Sequence, residues 1–271
     1  MTTICATCAV EYDDATLPPV CPICADERQW VPAAGQLWTG LDELRADGQR
    51  LTWSEAEPGR IEITAEPKVG IGQTAQLVHT DAGQLLWDPP GFIDDETVAR
   101  IRERGPVLAV AASHPHMFGA QTDWAEALDA PVLVCTPDVR WLGRSSDRIQ
   151  LWDGDRELAP GLRLYRVGGH FPGAAVALWA GGAGGRGVLL SGDTVFPNPD
   201  RSSVGFMRSY PNKIPMSAAV VERIAARLAP LTFDRVIGNF GNAIDSGGHL
   251  AVQRSAQRHA AWVRGDHDDL T

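Results

Sequence analysis

Four of the five cysteines in this chain stand in two closely spaced pairs near its beginning. Cys5 and Cys8 form the pair "CATC", and Cys21 and Cys24 form the pair "CPIC", with twelve residues between the pairs. Each C-x-x-C turn can direct two thiolates at one tetrahedral ion, and twelve residues are enough to bring the second turn back over the first. The spacing therefore predicts one structural metal site, in which four thiolates suit zinc or a single iron.

Disulfide bonds and a redox-active C-x-x-C are the alternatives for these cysteines. The beginning of the chain, "MTTICATC", lacks the basic region followed by an apolar run that a secretory signal has. We therefore expect a cytoplasmic protein in a reducing compartment, where structural disulfides are rare. A redox C-x-x-C normally occurs once rather than as a matched pair. The fifth cysteine, Cys135, lies in the apolar run "PVLVCT", and we expect it to be an inert core residue.

Three histidines and one aspartate follow apolar runs that have the character of strands. "VLAVAAS" leads to His114 and His116, "LRLYRVGG" leads to His170, and "GVLLSG" leads to Asp193. His114 and His116 are two residues apart, so in an extended segment both side chains face the same side. Imidazole and carboxylate groups together suit zinc or iron. We therefore predict a second metal site, made by these four residues.

One zinc ion held by three histidines and a water molecule would generate a zinc hydroxide near neutral pH. This hydroxide could attack the carbonyl of an ester, a thioester, a lactone or an amide, while zinc polarises the carbonyl. Asp193 would be either a fourth ligand or the catalytic general base that orients the water. These residues therefore predict a metallo-hydrolase.

Strand and helix patterns surround these residues. From about residue 50, strand-like runs such as "RIEITAE", "AQLVHT" and "GQLLWD" come first, and later strands are mixed with helical patterns such as "SAAVVERIAARLAPL". This order indicates two sheets covered by helices. The segment "WVPAAGQLW" has the composition of a linker. We therefore predict a cysteine module in residues 1–32 and a larger domain in residues 33–271.

The motifs "SHPH", "GGHFPG" and "SGDT" occur in that order and resemble those of the metallo-β-lactamase superfamily. The spacings also fit, with 54 residues from His116 to His170 (170 − 116) and 23 from His170 to Asp193 (193 − 170). The resemblance covers roughly residues 60 to 240. It implies an α/β (α+β) fold, the αββα sandwich, with the site at one edge of the two sheets. It also implies that Asp88, in "LLWDPPG", supports the site.

The cysteine module is an addition to that fold. It resembles a short zinc ribbon, and it is also similar to the rubredoxin-like module of rubrerythrins, with "EYD" after the first cysteine pair and "CPIC" as the second. These two likenesses leave the metal open between zinc and iron.

The sequence departs from the family where a second catalytic metal would bind. The family pattern is His-x-His-x-Asp-His, but "HPHMFG" places Phe118 and Gly119 at the last two positions. The family also supplies a histidine after the last core strand, where this chain has "IGNFGNAIDSGGH". Asn239 and Asn242 are poor metal ligands, and we expect His249 to begin the last helix. The sequence therefore predicts a single catalytic ion.

Two other functions are compatible with the same residues. His114, His170 and Asp193 could form the two-histidine, one-carboxylate triad of a mononuclear non-haem iron oxygenase. This would resemble the persulfide dioxygenases of the same superfamily, although those keep the Asp-His that is missing here. Alternatively, the loss of half of a dinuclear site could leave a catalytically inactive binding or scaffold protein, with the cysteine module docking a partner.

The segment "SVGFMRSYPNKIP" follows Asp193 and suggests how a substrate is held. We predict that Phe206 and Tyr210 form an aromatic wall and that Arg208 or Lys213 binds a substrate carboxylate or phosphate. The alternative is that the aromatic residues belong to the core and the charges are solvated.

Charge and hydropathy limit the range of partners. The net charge of −10 argues against nucleic acid, whose phosphates require a basic face. No apolar stretch approaches the ~20 residues of a membrane-spanning helix. We therefore expect a small-molecule substrate and no membrane partner, while the oligomeric state stays open.

Overall fold

The computed structural model describes residues 2–271, and its first sheet belongs to the cysteine-rich segment. The elements of this segment are β1 (Thr2–Cys5), β2 (Glu11–Asp13), α1 (Pro22–Ala25), β3 (Trp38–Gly40) and α2 (Leu41–Ala46). β1 lies in the centre and pairs antiparallel with both β2 and β3. The sheet thus includes residues beyond 32, and the domain boundary at that position stays a prediction.

The second sheet has seven strands in the order β10-β9-β8-β7-β6-β5-β4. Its strands and the helices between them are β4 (Arg50–Glu57), β5 (Arg60–Glu66), β6 (Thr74–Thr80), β7 (Gly83–Trp87), α3 (Asp95–Glu103), β8 (Val107–Ala111), α4 (Gln121–Leu128), β9 (Val132–Cys135) and β10 (Ile149–Trp152). β4 to β7 form an antiparallel meander, and β7 to β10 run parallel. The carboxyl ends of β8 and β9 therefore meet at the same edge of the sheet.

The third sheet has six strands in the order β11-β12-β13-β14-β19-β20. The remaining elements are β11 (Asp155–Ala159), β12 (Leu162–Arg166), β13 (Ala175–Trp179), α5 (Gly182–Gly185), β14 (Val188–Leu190), β15 (Phe196–Pro197), β16 (Val204–Gly205), β17 (Met207–Ser209), β18 (Ile214–Pro215), α6 (Ala218–Leu228), β19 (Arg235–Ile237), β20 (Ala243–Ile244) and α7 (Gly248–Arg264). β15 pairs with β16 and β17 with β18, as two short ribbons outside the sheet. Among residues 2–271 there is no helix with the length and apolar character needed to cross a bilayer.

The two larger sheets pack face to face and are covered by helices, which confirms the predicted αββα sandwich. Buried side chains such as Leu85 and Trp87 from the second sheet and Leu164 and Leu190 from the third fill the space between the sheets. Each such side chain stabilises the fold by about 1.5–3 kcal/mol on burial. α3 and α4 cover the outer face of the second sheet, and α6 and α7 cover that of the third. Cys135 lies buried between the sheets, as expected.

The cysteine module packs directly on the outer face of the second sheet. Its buried residues Val10, Tyr12 and Ile23 belong to the same apolar cluster as the residues under α3 and α4. The backbone N–H of Glu11 donates to the carbonyl of Gly119, at 3.0 Å. The module therefore shares a hydrophobic core with the rest of the chain.

Glu11 makes the stability of this contact depend on pH. The side chain is 2% exposed and accepts hydrogen bonds from the backbone N–H and the hydroxyl of Thr122, at 2.7 and 2.6 Å. Burial raises the pKa of Glu11 from 4.5 to about 7, although these bonds oppose the shift. Between pH 4.5 and about 7, Glu11 is therefore protonated in the folded state but ionised in the unfolded state. The stabilisation is complete below pH 4.5 and is lost as the pH rises through 7.

We expect the Glu11→Gln variant to lack this dependence, because its side chain stays neutral. From pH 5 to pH 8, the free energy of unfolding of the unaltered chain should fall by about 2 to 3 kcal/mol relative to the variant. Urea unfolding of both proteins at a series of pH values measures the difference. Parallel pH profiles for the two proteins would contradict this role of Glu11.

Candidate metal centre

The predicted histidines and aspartate come together at one edge of the sandwich. His114 and His116 follow β8, His170 follows β12, and Asp193 follows β14. The four residues are buried, and each offers one ligand atom such that all four atoms lie within 4.8 Å of one another. The segment around the first two histidines differs from the extended chain that was expected, since Pro115–Met117 forms a 3-10 turn. Proline is well suited to the first position of such a turn, because its φ angle is fixed and it needs no N–H partner.

The ligand atoms face a common centre. His170 Nε2 lies 3.2 Å from His116 Nδ1 and 3.8 Å from Asp193 Oδ2, and His114 Nε2 lies 3.5 Å from the same carboxylate oxygen. His114 Nε2 and Asp193 Oδ1 have no hydrogen-bond partner although they are buried. Leaving buried polar atoms unpaired is costly unless a ligand satisfies them. A metal ion coordinated by these atoms would remove that cost.

The protonation states of the group also favour a cation. Burial lowers the pKa of His170 to about 4, and it lowers the pKa of His116 well below its usual value. Burial alone would raise the pKa of Asp193, but the nearby imidazoles of His114 and His170 hold that pKa below its usual value. Neutral imidazoles beside an ionised carboxylate are the forms in which these side chains bind zinc or iron.

Hydrogen bonds outside the group orient two of the imidazole rings. The hydroxyl of Ser113 donates to Asp88 Oδ2 at 3.1 Å, so its oxygen is left to accept the Nδ1–H of His114 at 2.9 Å. His170 donates its Nδ1–H to the carbonyl of Met207 at 2.9 Å. In both rings Nε2 then carries the free lone pair, and this atom faces the centre. Asp88 thus contacts the site through Ser113, and its supporting role stays a prediction.

Phe118 and Gly119, which stand where the metallo-β-lactamase pattern has its second set of metal ligands, make other contacts in this chain. Gly119 has φ +53°, and a Cβ atom there would lie 2.2 Å from the carbonyl oxygen of Pro89. No histidine fits in this position, and the carbonyl of Gly119 instead accepts the N–H of Glu11 from the cysteine module. Phe118 is buried in the core cluster that includes the module.

The asparagines after β19 do not rebuild a second site. Asn242 bonds with the backbone of Pro197 and Phe240, and Asn239 is buried without side-chain partners. His249 lies in the first turn of α7 and contacts the carbonyl of Ala229. Within residues 2–271, the only groups of three or more potential ligands are the four cysteines and the histidine–aspartate group.

The four cysteine sulfurs have the arrangement of a tetrahedral site. The distance is 3.7 Å for Cys5 Sγ to Cys24 Sγ and for Cys8 Sγ to Cys21 Sγ, and all four atoms lie within 4.8 Å. Thiolates about 2.3 Å from a tetrahedral ion lie about 3.8 Å apart. A disulfide would require about 2.05 Å between two sulfurs. The geometry therefore favours one ion over two disulfides.

Arg28 connects the cysteine module to the histidine group, which the sequence did not reveal. Its guanidinium is 3% exposed, donates from Nε to the carbonyl of His170 at 2.7 Å and lies 4.3 Å above the ring of Phe171. The hydroxyl of Ser209 donates to the carbonyl of Arg28 at 3.0 Å. The segment after Cys24 is therefore fixed against the loop that carries His170.

Asp138 is a second functional candidate that the sequence analysis missed. It follows the carboxyl end of β9, just as the predicted ligands follow their strands. Its Oδ1 accepts the N–H of Gly173 at 2.9 Å, Oδ2 has no partner, and burial raises its pKa to about 6. The strand-end position in "VLVCTPD" was the signal that could have identified it.

A cavity of about 270 Å³ opens beside Asp193. Its walls include four aromatic side chains, which come from distant parts of the chain: Trp30, Phe196, Tyr210 and Phe240. Lys68 also lines the cavity, and no ion pair joins it to any carboxylate of residues 2–271. Trp30, Thr7 and Gln29 belong to the cysteine-rich segment. This segment therefore forms one wall of the cavity.

The structure separates the residues that were predicted to hold a substrate. Tyr210 lines the cavity and donates its hydroxyl to the backbone carbonyl of Asp193, at 3.0 Å. Phe206 is completely buried and packs against His259, so the alternative of a core residue holds for it. Arg208 forms an ion pair with Glu27 at 2.5 Å, and Lys213 is exposed. Neither of these cations lines the cavity beside Asp193.

Known proteins resemble both the sequence and the fold. The chain is 42% identical over 259 residues to the uncharacterized protein YmaE of Bacillus subtilis (strain 168), and the match covers 94% of each chain. No family model matches the chain. The metallo-β-lactamase DIM-1 is 15% identical with a TM-score of 0.57, over 77% of this chain and 98% of that chain. FIM-1 of Pseudomonas aeruginosa, in its mono-zinc form, is 15% identical with a TM-score of 0.53, over 78% and 96%. A metallo-β-lactamase of Hirschia baltica is 16% identical with a TM-score of 0.54, over 78% and 97%.

Proposed function

Because the chain belongs to the family of Bacillus subtilis YmaE and has the metallo-β-lactamase fold, we propose that it is a metal-dependent hydrolase of an ester, thioester or lactone carbonyl. The observation that carries the proposal is the buried group of His114, His116, His170 and Asp193 around one centre. Three imidazoles are a donor set that mononuclear zinc sites use, with the fourth position left to water. Zinc is therefore the proposed ion, and a second zinc is proposed for the four cysteines.

The side chains of the centre have separate tasks in this proposal. His114, His116 and His170 hold the ion, which when bound acidifies water and polarises the carbonyl of the substrate. Asp193 accepts a hydrogen bond from the attacking water and orients it. Ser113 keeps His114 in the tautomer whose Nε2 faces the ion. Tyr210 holds the loop of Asp193 in place through the backbone carbonyl.

The cavity beside Asp193 supports a substrate that is aromatic or bulky and also anionic. Trp30 and Phe240 remain 48% and 40% exposed, so both rings present an apolar surface to a ligand. Phe196 packs between Tyr210 and Phe240, with ring centroids 4.7 and 6.2 Å away. Lys68 lines the same cavity, has no ion-pair partner among residues 2–271 and would attract a carboxylate. We therefore propose that Lys68, rather than Arg208 or Lys213, is the cation that binds the anionic group of the substrate.

His116 favours hydrolysis over oxygen chemistry. The facial triad of an iron oxygenase uses two histidines and one carboxylate and leaves positions open for oxygen and substrate. In this chain the ring of His116 lies 5.0 Å from that of His114 and 5.1 Å from that of His170, which adds a third imidazole to the group. Elemental analysis of protein purified without added metal tests this choice, because iron at the histidine group would favour the oxygenase.

We expect the zinc-loaded protein to hydrolyse aryl esters, thioesters and lactones that carry a carboxylate faster than their uncharged or acetyl counterparts. Chelation should abolish the activity, and added zinc should restore it. In the Lys68→Gln variant, KM for the carboxylated substrates should rise about tenfold with little change in kcat. The reason is that the ion pair between Lys68 and the substrate carboxylate is made equally in the ground and transition states. The matched uncharged substrates are the control. No zinc-dependent turnover of any substrate would contradict the proposed function.

A further inference from the structure

A second cavity, of about 480 Å³, is surrounded by arginines. It lies beside Gly168 and Gly169, which precede His170, and it is distinct from the cavity at Asp193. Its lining includes five arginines and no acidic residue: Arg28, Arg166, Arg208, Arg223 and Arg227. Such a concentration of positive charge stands out in a chain whose net charge is −10. A concave surface lined by one sign of charge attracts ligands of the opposite sign.

The arginines come from four separate parts of the fold. Arg28 follows the second cysteine pair, Arg166 ends β12, Arg208 lies in β17, and Arg223 and Arg227 lie four residues apart in α6. Residues with this spacing are neighbours on one face of a helix. A Cβ atom built on Gly168 would lie 3.4 Å from Arg223 Nη2, so this guanidinium sits directly over the glycine backbone. The fold thus brings like charges together, which is unfavourable unless carboxylates or a ligand neutralise them.

The carboxylates of the protein leave most of these donors available. Arg28, Arg166 and Arg208 pair with Asp26, Asp153 and Glu27, at 2.6, 2.8 and 2.5 Å, and Arg227 pairs with Asp155. None of these four carboxylates lines the cavity. Arg223 has no carboxylate partner anywhere in residues 2–271. Because each guanidinium has five N–H donors, a single ion pair cannot satisfy it.

We propose that this cavity binds the phosphate groups of a small polyanion that carries at least two of them. Guanidinium groups bind phosphate through paired N–H donors, and ligand cavities commonly measure about 300–1,000 Å³. A single phosphate carries about two negative charges, which is fewer than the charges of the five arginines that line this cavity. A diphosphate neutralises more of the cluster. The ligand is either free polyphosphate or the diphosphate portion of a nucleotide.

The position of Arg28 places this anion site next to the metal centre. Its Nε donates to the carbonyl of His170, and Arg28 also lines the arginine cavity. A diphosphate bound there is therefore separated from the histidine group by one side chain and one loop. The proposal is independent of the hydrolase activity, since it rests on the arginines alone.

Calorimetric titration of the metal-loaded full-length chain with inorganic pyrophosphate tests the site. We expect binding of one pyrophosphate per chain, weakened at least tenfold in the Arg223→Ala/Arg227→Ala variant. The matched control is Arg254→Ala/Arg258→Ala, which removes two exposed arginines with the same spacing from α7 and should bind like the unaltered chain. Failure of pyrophosphate to bind, or equal binding by all three proteins, would overturn the proposal.

Further titrations determine which site binds the pyrophosphate and which kind of ligand the site prefers. Pyrophosphate can also coordinate a metal ion, so the titration is repeated with the His114→Ala/His170→Ala variant, where binding should persist. Binding that is lost there but kept in the Arg223→Ala/Arg227→Ala variant would overturn the arginine site in favour of the metal centre. Tighter binding of ADP than of pyrophosphate supports a nucleotide ligand, and equal binding supports free polyphosphate. Inorganic phosphate that binds as tightly as pyrophosphate would overturn the need for two phosphates.

Discussion

Replacing both His114 and His170 by alanine is expected to remove one metal ion per chain and to reduce hydrolysis to the background rate. The reason is that each change deletes a ligand atom from a group of only four, and the remaining side chains cannot move to replace it because they are buried. Loss of a residue that merely orients a ligand weakens metal binding about 10–100-fold, so loss of two ligands should weaken it by more than about 100-fold. Elemental analysis and the ester panel measure the two effects.

The control for this variant is His79→Ala. His79 lies in β6 and is exposed, so its removal deletes an imidazole without touching either metal group. The thermal unfolding of the double variant should remain cooperative, which shows that any loss of metal does not result from loss of the fold. Full metal content in a folded His114→Ala/His170→Ala protein would rule out this group as the metal centre.

The Cys8→Ser/Cys21→Ser variant is expected to lose the ion of the cysteine group and, as a consequence, the activity of the histidine group. Binding of a structural zinc ion is worth about 10–16 kcal/mol in zinc-finger peptides. The module shares its core with the second sheet, and Arg28 fixes the His170 loop. The midpoint of thermal unfolding should therefore fall by more than about 10 °C.

Cys135→Ser is the matched control, because it removes a buried thiol that lies between the sheets and outside both groups. This control should keep two ions per chain and its hydrolytic activity. A folded Cys8→Ser/Cys21→Ser variant with unchanged hydrolysis would show that the module does not support the histidine group. A chain that begins at Val31 is less suitable for this test, since it lacks β1 and β2 and would expose the shared core.

The sequence by itself determined the fold class and the two groups of potential ligands. Alternating apolar runs marked β5 to β9, and the helical spacing of "SAAVVERIAARLAPL" marked α6. Residues that directly follow strand-like runs, such as His114, could be assigned to one site because their side chains suit one metal ion and the order of their motifs resembles that of the metallo-β-lactamase superfamily. The doubled C-x-x-C needed only local geometry, since each turn supplies two sulfurs.

Only the tertiary structure decided how the cysteine module relates to the rest of the chain. Glu11 forms hydrogen bonds with Thr122 and Gly119, which are more than a hundred residues away in the sequence, and no local pattern predicts such contacts. The same is true of Arg28 beside His170 and of the four aromatic rings at the cavity. Phe206 and Tyr210 are four residues apart in one segment, yet α7 buries the first and the second faces Asp193. Burial and long-range pairing depend on which elements pack together, so these features became visible only in the folded chain.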